Sequence, residues 1–412
     1  MSYTNLECLR ARAEFPALDR QVNGHPIAFL DGPGGTQVPN CVLEAITVAY
    51  VERNANFDGQ FATSRQVGLA VAEARHAVAD LIGASNGSEI SFGANMTTLN
   101  FSLSRALGRD LKPGDEVVIT ELDHEANRGP WLRLRDHGVV VREIKLNPSG
   151  HLDEEDFARQ ISPRTRIIAM GLASNALGSV PPLVKAKEIC EKIGAKLVVD
   201  AVHYAAHFPM DVDALGVDYL LCSAYKFYGP HIGILYAKDG LLDKIDTDHL
   251  RTQKSHAPYR IETGTLNHAA IAGVTAAIEY ISQWGSGSSR RERLLSAMAD
   301  IHDYEVELAR YYYESLLSIR GVQVWGPAFD GAPRAPTVSL SMDGHRPETI
   351  ASALGDSGLQ VWHGHFYALK VLEVLQLVDS GGLLRVGISM YNTRAEIDRL
   401  LQSLAKIANE EG

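Results

Sequence analysis

A lysine set between the end of an apolar strand and a tight Gly-Pro turn can sit at the lip of a buried site, where its amine is open to covalent chemistry. The run Leu220-Leu221-Cys222-Ser223-Ala224-Tyr225-Lys226-Phe227-Tyr228-Gly229-Pro230 has this form. Upstream, Leu197-Val198-Val199-Asp200 puts a carboxylate at the end of a second apolar run. A Schiff-base lysine together with an aspartate for a pyridinium nitrogen is what pyridoxal phosphate asks of a protein. The aspartate keeps the ring nitrogen protonated, so the ring can take up the electron pair left when a bond to the substrate Cα breaks. The freed lysine is then a base for the Cα proton.

Such a cofactor also needs a phosphate cradle. Gly93-Ala94-Asn95-Met96-Thr97-Thr98 lies between a short strand and a helix through 99–107. Backbone N–H groups and the dipole at a helix start favour an anion by up to ~2 kcal/mol in a partly buried site. Ser223 is a second phosphate candidate.

The elements that must position these groups alternate along the chain. Apolar runs predict strands at 90–92, 116–120, 139–143, 166–170, 196–199, 219–223 and 232–236, with helices between most of them. Several runs are continuous rather than alternating, which suits a mostly parallel sheet buried on both faces. The short Gly-Pro turn before 232–236 predicts one antiparallel neighbour. A strand over 27–31 leads into Gly32-Pro33-Gly34-Gly35-Thr36, and Pro39-Asn40 offers a cap for a helix over 41–53. Val67, Ala70, Val71, Ala74, Ala77, Val78 and Leu81 form a helical stripe closed by Gly83. The fold class is α/β, a large doubly wound, mostly parallel seven-stranded domain over 30–285. A Gly/Ser-rich stretch near residue 285 precedes a smaller α+β domain of 286–412 joined by 1–29. Its elements are a long helix to about 320, strands at 322–325, 337–342, 359–362 and 383–388, and helices at 347–354 and 394–408.

Composition narrows the partners. The chain has 412 residues, 45% apolar and 22% charged, and a formal charge of −11. That charge argues against nucleic acid or an anionic membrane as the main partner. No apolar run approaches a membrane span and no secretory signal is visible, so a cytoplasmic location is expected. Cys8, Cys41, Cys190 and Cys222 form no CxxC pair and read as reduced thiols. His203 and His207 share a helical spacing but lack the glutamate of a zinc motif, and no metal is expected. Neither a P-loop nor a dinucleotide glycine pattern is present.

With these groups in place, the sequence resembles the class V aminotransferases of pyridoxal phosphate fold type I, and within them the cysteine desulfurase and selenocysteine lyase group. The resemblance runs from about residue 29 to 404. It is carried by Phe29–Thr36, Gly93–Asn100, Asp123–Asn127, Ala173–Gly178, Val199–His203, Ser223–Pro230, Glu262–Asn267 and Leu384–Asn392. It implies that Lys226 carries the cofactor and Asp200 meets the pyridine nitrogen. Asn175 and His203 would lie at the phenolic oxygen, and Asn95, Met96 and Ser223 at the phosphate. Thr265 would reach the phosphate of a second copy, which implies a homodimer with shared active sites. Arg385 would clamp the carboxylate of a small amino-acid substrate.

The pattern also departs from that family. Desulfurases take the substrate sulfur on a cysteine thiolate of a mobile loop. In Val361-Trp362-His363-Gly364-His365-Phe366-Tyr367-Ala368, Tyr367 stands there instead. Strand alternation puts Cys222 on the face opposite Ser223. Tyr367, with His363 and His365, could give a proton to a leaving group or merely shape the pocket. The family's ring-stacking histidine aligns with Glu125, with His124 one position early, so either could cover the cofactor. Tyr225 replaces a histidine beside the lysine, and Asp58 takes the place of a substrate-side histidine. The reading is a lyase acting by Cα deprotonation and β-elimination without a persulfide-forming cysteine. An aminotransferase, an epimerase using the same lysine, or a non-catalytic cofactor-binding relative are the alternatives.

Overall fold

Apolar residues at consecutive strand positions can be buried only in a sheet covered on both faces. In the structure, a computed structural model describing residues 3–409, these runs form one seven-stranded sheet. Its strands are β1 (Ile90–Gly93), β2 (Glu116–Thr120), β3 (Val140–Ile144), β4 (Thr165–Gly171), β5 (Lys196–Asp200), β6 (Tyr219–Ser223) and β7 (Gly233–Ala237), in the order β1-β7-β6-β5-β4-β2-β3. β7 is antiparallel to β1 and β6, as the short turn before it requires, and the remaining pairs are parallel.

The strand period of two divides the core. Val118, Ile168, Leu197, Val199, Leu220 and Cys222 pack into one apolar cluster; Val117, Ile119, Ile167, Val198 and Leu221 pack into another on the opposite face. Helix α1 (Ala62–Ile82) covers the first face with the expected stripe, Val67, Val71, Ala74, Val78 and Leu81 all buried. It stops where Gly83 turns left-handed at φ +76° and returns its N–H to Ala79 O. Helix α2 (Met96–Gly108) covers the second face with Met96, Leu99 and Leu103. Helices α3 (Leu183–Ile193) and α4 (His268–Ser282) join α1, so the sheet is wound on both sides. This is the doubly wound, mostly parallel α/β sheet that the sequence predicts.

The Gly/Ser-rich stretch before residue 290 is a helix start. Ser289 and Glu292 form a reciprocal capping box that opens α5 (Arg290–Leu316). Beyond it, β8 (Val322–Trp325), β9 (Thr337–Met342), β10 (Trp362–Gly364) and β11 (Leu383–Gly387) make an antiparallel sheet in the order β8-β9-β11-β10, with α6 (Arg394–Asn409) closing the described chain.

Three expectations change. The strand expected over 359–362 is broken at Val361, because its hydrogen-bonding partner changes. Leu359–Gln360 pair in parallel with Ala28–Phe29, whereas Trp362 onward joins β11. The strand expected over 27–31 shrinks to Ala28–Phe29, since Asp31 already turns to bridge Gly387. Asn40 is the first residue of its helix and Pro39 occupies the cap with no side-chain bond. No helix among the described residues is long and apolar enough to cross a membrane.

Gly233 starts β7 between Ser223 and Gly93, and a Cβ there would collide with the main chain of Asn95. Gly233→Ala should therefore cost about 1–3 kcal/mol as overpacking, seen as a lower midpoint in urea unfolding. An unchanged midpoint would mean that the start of α2 yields freely.

Candidate active site

Parallel α/β sheets bind ligands in the crevice beyond the carboxyl ends of their strands, and the chemistry-bearing residues converge there. Asp200 ends β5, Ser223 ends β6, and Asp123 and His124 follow β2, while Asn95 and Met96 follow β1. They line one cavity, and a concave site with a few convergent polar groups is the usual form of a cofactor pocket.

On the cavity floor, Asp200 is 8% exposed and its Oδ1 accepts the Val202 N–H at 2.8 Å. Burial pushes its pKa up to about 6, against the pull of that bond and of Lys226. Asp123 lies beside it, accepting the Gly171 N–H at 2.7 Å. Burial, with the Asp200 charge adding to it, pushes Asp123 up to about 7.

Lys226 follows β6 within one tight turn and is 8% exposed. Its Nζ donates to the Pro33 carbonyl and lies 4.7 Å from the centre of the Tyr225 ring. Burial, reinforced by Arg385, pulls the amine down to about 7, with Asp31 and Asp200 opposing. A neutral, nucleophilic amine is thus accessible near neutrality. Tyr225 itself stacks on His231 at 4.7 Å.

At the anion end, Asn95 caps α2 by accepting the Thr98 N–H at 2.9 Å, and the Met96 N–H donates to Ser223 Oγ at 3.0 Å. The three expected phosphate partners therefore meet at the N-terminus of a 13-residue helix.

The position of His124 is clear from its backbone. Its Nδ1 accepts the Ala126 N–H at 3.0 Å, so the neutral ring carries its proton on Nε2. Burial, then the charges of Lys226 and Arg385, pull it down to about 4. Glu125 lines only the outer cavity: its carboxylate is 3.3 Å from Arg128 Nε, and its N–H donates to Tyr367 O at 2.7 Å. His203 lines the cavity with Nε2 3.0 Å from Thr337 Oγ1, and burial holds its ring neutral.

A second, outer cavity of about 1030 Å³ shares Thr97, His124, Asn175, Tyr225 and Lys226 with the first. Arg385 enters it from β11. It is 2% exposed, bonded through Nη2 to Asp31 Oδ1 at 2.6 Å and through Nη1 to Asn175 O at 3.2 Å, while its Nε has no partner. Asn175 Nδ2 donates to Phe366 O at 2.9 Å. Tyr367 stands on the rim, 66% exposed, its ring stacked on His124 at 5.6 Å.

Four expected residues lie outside both cavities. His365 is exposed and accepts the Tyr367 N–H on Nδ1 at 3.0 Å, and His363 is half-buried on β10. Asp58 pairs with Lys254 at 2.7 Å and shares a separate cleft with Thr265. Conversely, Asp31, Thr97 and Asp123 line the site without having been singled out. Each sits inside a stretch that carried the resemblance, but which of its neighbours faces the cavity is decided by turns that only the fold defines.

The donor set fits pyridoxal phosphate. A buried carboxylate with a single backbone donor wants a cationic ring nitrogen, a buried amine of lowered pKa suits an aldehyde, and a capped helix start suits a phosphate.

Residues 28–400 match the family model described as aminotransferase class-V. Among curated proteins, a cysteine desulfurase of Yersinia pseudotuberculosis (serotype O:1b, strain IP 31758) is 33% identical over 420 residues, 97% of both chains. One from Yersinia pestis (strain Pestoides F) is 33% identical over 425 residues, 98% of both. Among solved structures, the apo cysteine desulfurase of Thermococcus onnurineus NA1 superposes with a TM-score of 0.87 at 27% identity, covering 97% of this chain and 98% of its own. The S-sulfonic acid form of the Escherichia coli cysteine desulfurase CsdA gives 0.84 at 26%, with the same coverage.

The two floor carboxylates carry a pH signature. In an unfolded chain both would ionise near pH 4, whereas folded Asp200 and Asp123 hold their protons to about 6 and 7. The folded state therefore binds more protons across that interval, and their contribution to stability is lost as pH rises through it. Asp123→Asn in the cofactor-free protein should flatten this loss, measured as urea midpoints at about pH 4 and about pH 8. An identical pH slope in the variant would contradict the assignment.

Proposed function

Because the chain belongs to the aminotransferase class-V family, we propose that it is a pyridoxal phosphate enzyme. It acts on a small amino acid by removing the Cα proton and eliminating a sulfur-linked substituent from Cβ, with no thiol of its own taking the sulfur. The observation that carries this reading is the cavity wall, which offers an amine, carboxylates and a guanidinium, while none of the four cysteines lines either cavity. Cys222 packs into the core on the far face of the sheet, and burial pushes its thiol well above the ordinary range. Cys8 and Cys190 are buried elsewhere, and Cys41 is exposed on the helix Asn40–Glu52.

Bound pyridoxal phosphate supplies an electron sink for the bond to Cα. Lys226 takes the Cα proton, and Asp200 holds the proton of the ring nitrogen. His124, rather than Glu125, would lie against the ring, because His124 lines the inner cavity while the Glu125 carboxylate pairs with Arg128. Asn175 and His203 would hold the phenolic oxygen, Asn95, Met96 and Ser223 would hold the phosphate, and Tyr225 would line the cofactor site. Arg385 holds the substrate carboxylate. Tyr367 gives a proton to the departing sulfur from the rim, its backbone fixed by His365 and Glu125. The Cα–H and Cβ–S bonds break to give a thiol and an unsaturated amino acid, whose imine tautomer is hydrolysed by one water to an α-keto acid and ammonia.

The active unit is a cytoplasmic homodimer. Thr265 and Asp58 lie in clefts apart from the central cavity, where they would serve the second copy's site. Tyr50 beside Thr265 is 56% exposed, as befits a face that a second copy covers. Residues 30–285 form the cofactor-binding domain, with 1–29 and 286–412 as the smaller one. The Tyr3 hydroxyl donating to Met390 O at 2.8 Å ties the two ends of the latter.

Incubation with cysteine-type substrates should release α-keto acid and ammonia in equal amounts; none from any of them would sink the elimination reading. Lys226→Ala should abolish the visible absorption of the bound cofactor with the circular dichroism intact. Arg385→Ala should raise KM at least about tenfold, more than it lowers kcat. Cys222→Ala should leave turnover within about threefold, and a complete loss would restore a role for that thiol.

A further inference from the structure

Arg385 and Lys226 are two cations buried in one cavity, where repulsion between them is poorly screened. Asp31 lines the same cavity. Its carboxylate pairs with Arg385 Nη2 at 2.6 Å, with side-chain exposures of 19% and 3%. The chain is built around that carboxylate. Gly34 folds back with its N–H on Asp31 O at 2.9 Å, and a Cβ on Gly34 would overlap the Asp31 side chain. The Gly32 N–H is held by Gly387 O at 3.2 Å, next to Arg385 on β11. With Nη2 on Asp31 and Nη1 on Asn175 O, the buried Nε is the guanidinium nitrogen without a partner.

We propose that Asp31 is a positioning residue for both cations: it fixes the guanidinium so that Nε remains the donor for the substrate carboxylate, and its charge sustains protonation of the Lys226 nitrogen. The first half rests on Arg385 being the carboxylate clamp; the second does not. Burial and Arg385 pull Lys226 down, and Asp31 and Asp200 hold it up. The other groups facing it are His124 and His203, both kept neutral by burial, and the Tyr225 ring. Asp31 is therefore the counter-charge that offsets Arg385.

The test uses the cofactor-loaded enzyme and two variants. Asp31→Asn keeps an acceptor oxygen and loses the charge, whereas Asp31→Ala loses both. The pH titration of the visible cofactor absorption, which reports protonation of the Lys226 nitrogen, should shift its midpoint down by about one unit in either variant. Asp31→Glu should restore it. An unmoved or raised midpoint would overturn the charge role. Propionate, a carboxylate with no amino group to react, should bind Asp31→Ala at least about tenfold more weakly than wild type, but bind Asp31→Asn within about threefold. Equal or tighter binding by Asp31→Ala would overturn the positioning role, and so would failure of wild type to bind propionate, which would also remove Arg385 from the substrate site. Because Asp31→Asn is nearly isosteric, the titration remains decisive if Asp31→Ala does not fold.

Discussion

Burying a lysine ammonium costs several kcal/mol unless charges or hydrogen bonds compensate it, and the site is arranged around that cost. Lys226 is forced inward because β6 ends at Ser223 and the next turn is clamped under the loop 31–36. The Thr36 N–H donates to Tyr225 O at 3.0 Å, and the Tyr228 N–H to Thr36 Oγ1 at 2.7 Å. With Asp31 and Asp200 opposing burial and Arg385, the amine is held near its neutral point, neither permanently charged nor permanently bare. The same burial makes carboxylates on the floor weaker acids and imidazoles on the walls weaker bases. One desolvated volume sets the protonation state of five side chains at once.

Much of this was legible from local pattern. Consecutive apolar residues in β2, β5 and β6 predict the buried sheet, and the ends of those strands predict where Asp200, Ser223 and Lys226 gather, because strand direction and crossover geometry leave little choice. The stripe from Val67 to Leu81 and its terminal Gly83 predict a helix and its stop. The break at Val361 was not legible, since an apolar run specifies a strand but not which edge it pairs with. Nor was it legible which of His124 and Glu125 enters the inner cavity. Adjacent residues in a one-turn helix point in different directions, and only the Ala126 N–H to His124 and the pairing of Glu125 with Arg128 decide it. Asp31 belongs to a third class. Its partner is 354 residues away, and no spacing rule reaches so far.

Strand alternation accounts for the most consequential placement. Cys222 and Ser223 are neighbours in sequence, yet the sheet plane separates them, the thiol in the core under α1 and the hydroxyl on the Met96 N–H. Sulfur chemistry on that thiol would require moving β6 by one residue, and such a slip would turn every side chain of the strand over. The sheet plane, and not distance alone, keeps this thiol out of both cavities.

Phe366 and Tyr367 hold consecutive left-handed conformations, φ +54° and +56°, which cost aromatic residues roughly 1–2 kcal/mol each. The carbonyls of these two residues are claimed by the Asn175 amide and the Glu125 N–H, bonds worth about 0.5–1.5 kcal/mol apiece. The rim thus behaves as a bent spring with two latches of nearly matching strength. One latch, Asn175, belongs to the wall of both cavities, so the entrance and the wall share a single side chain.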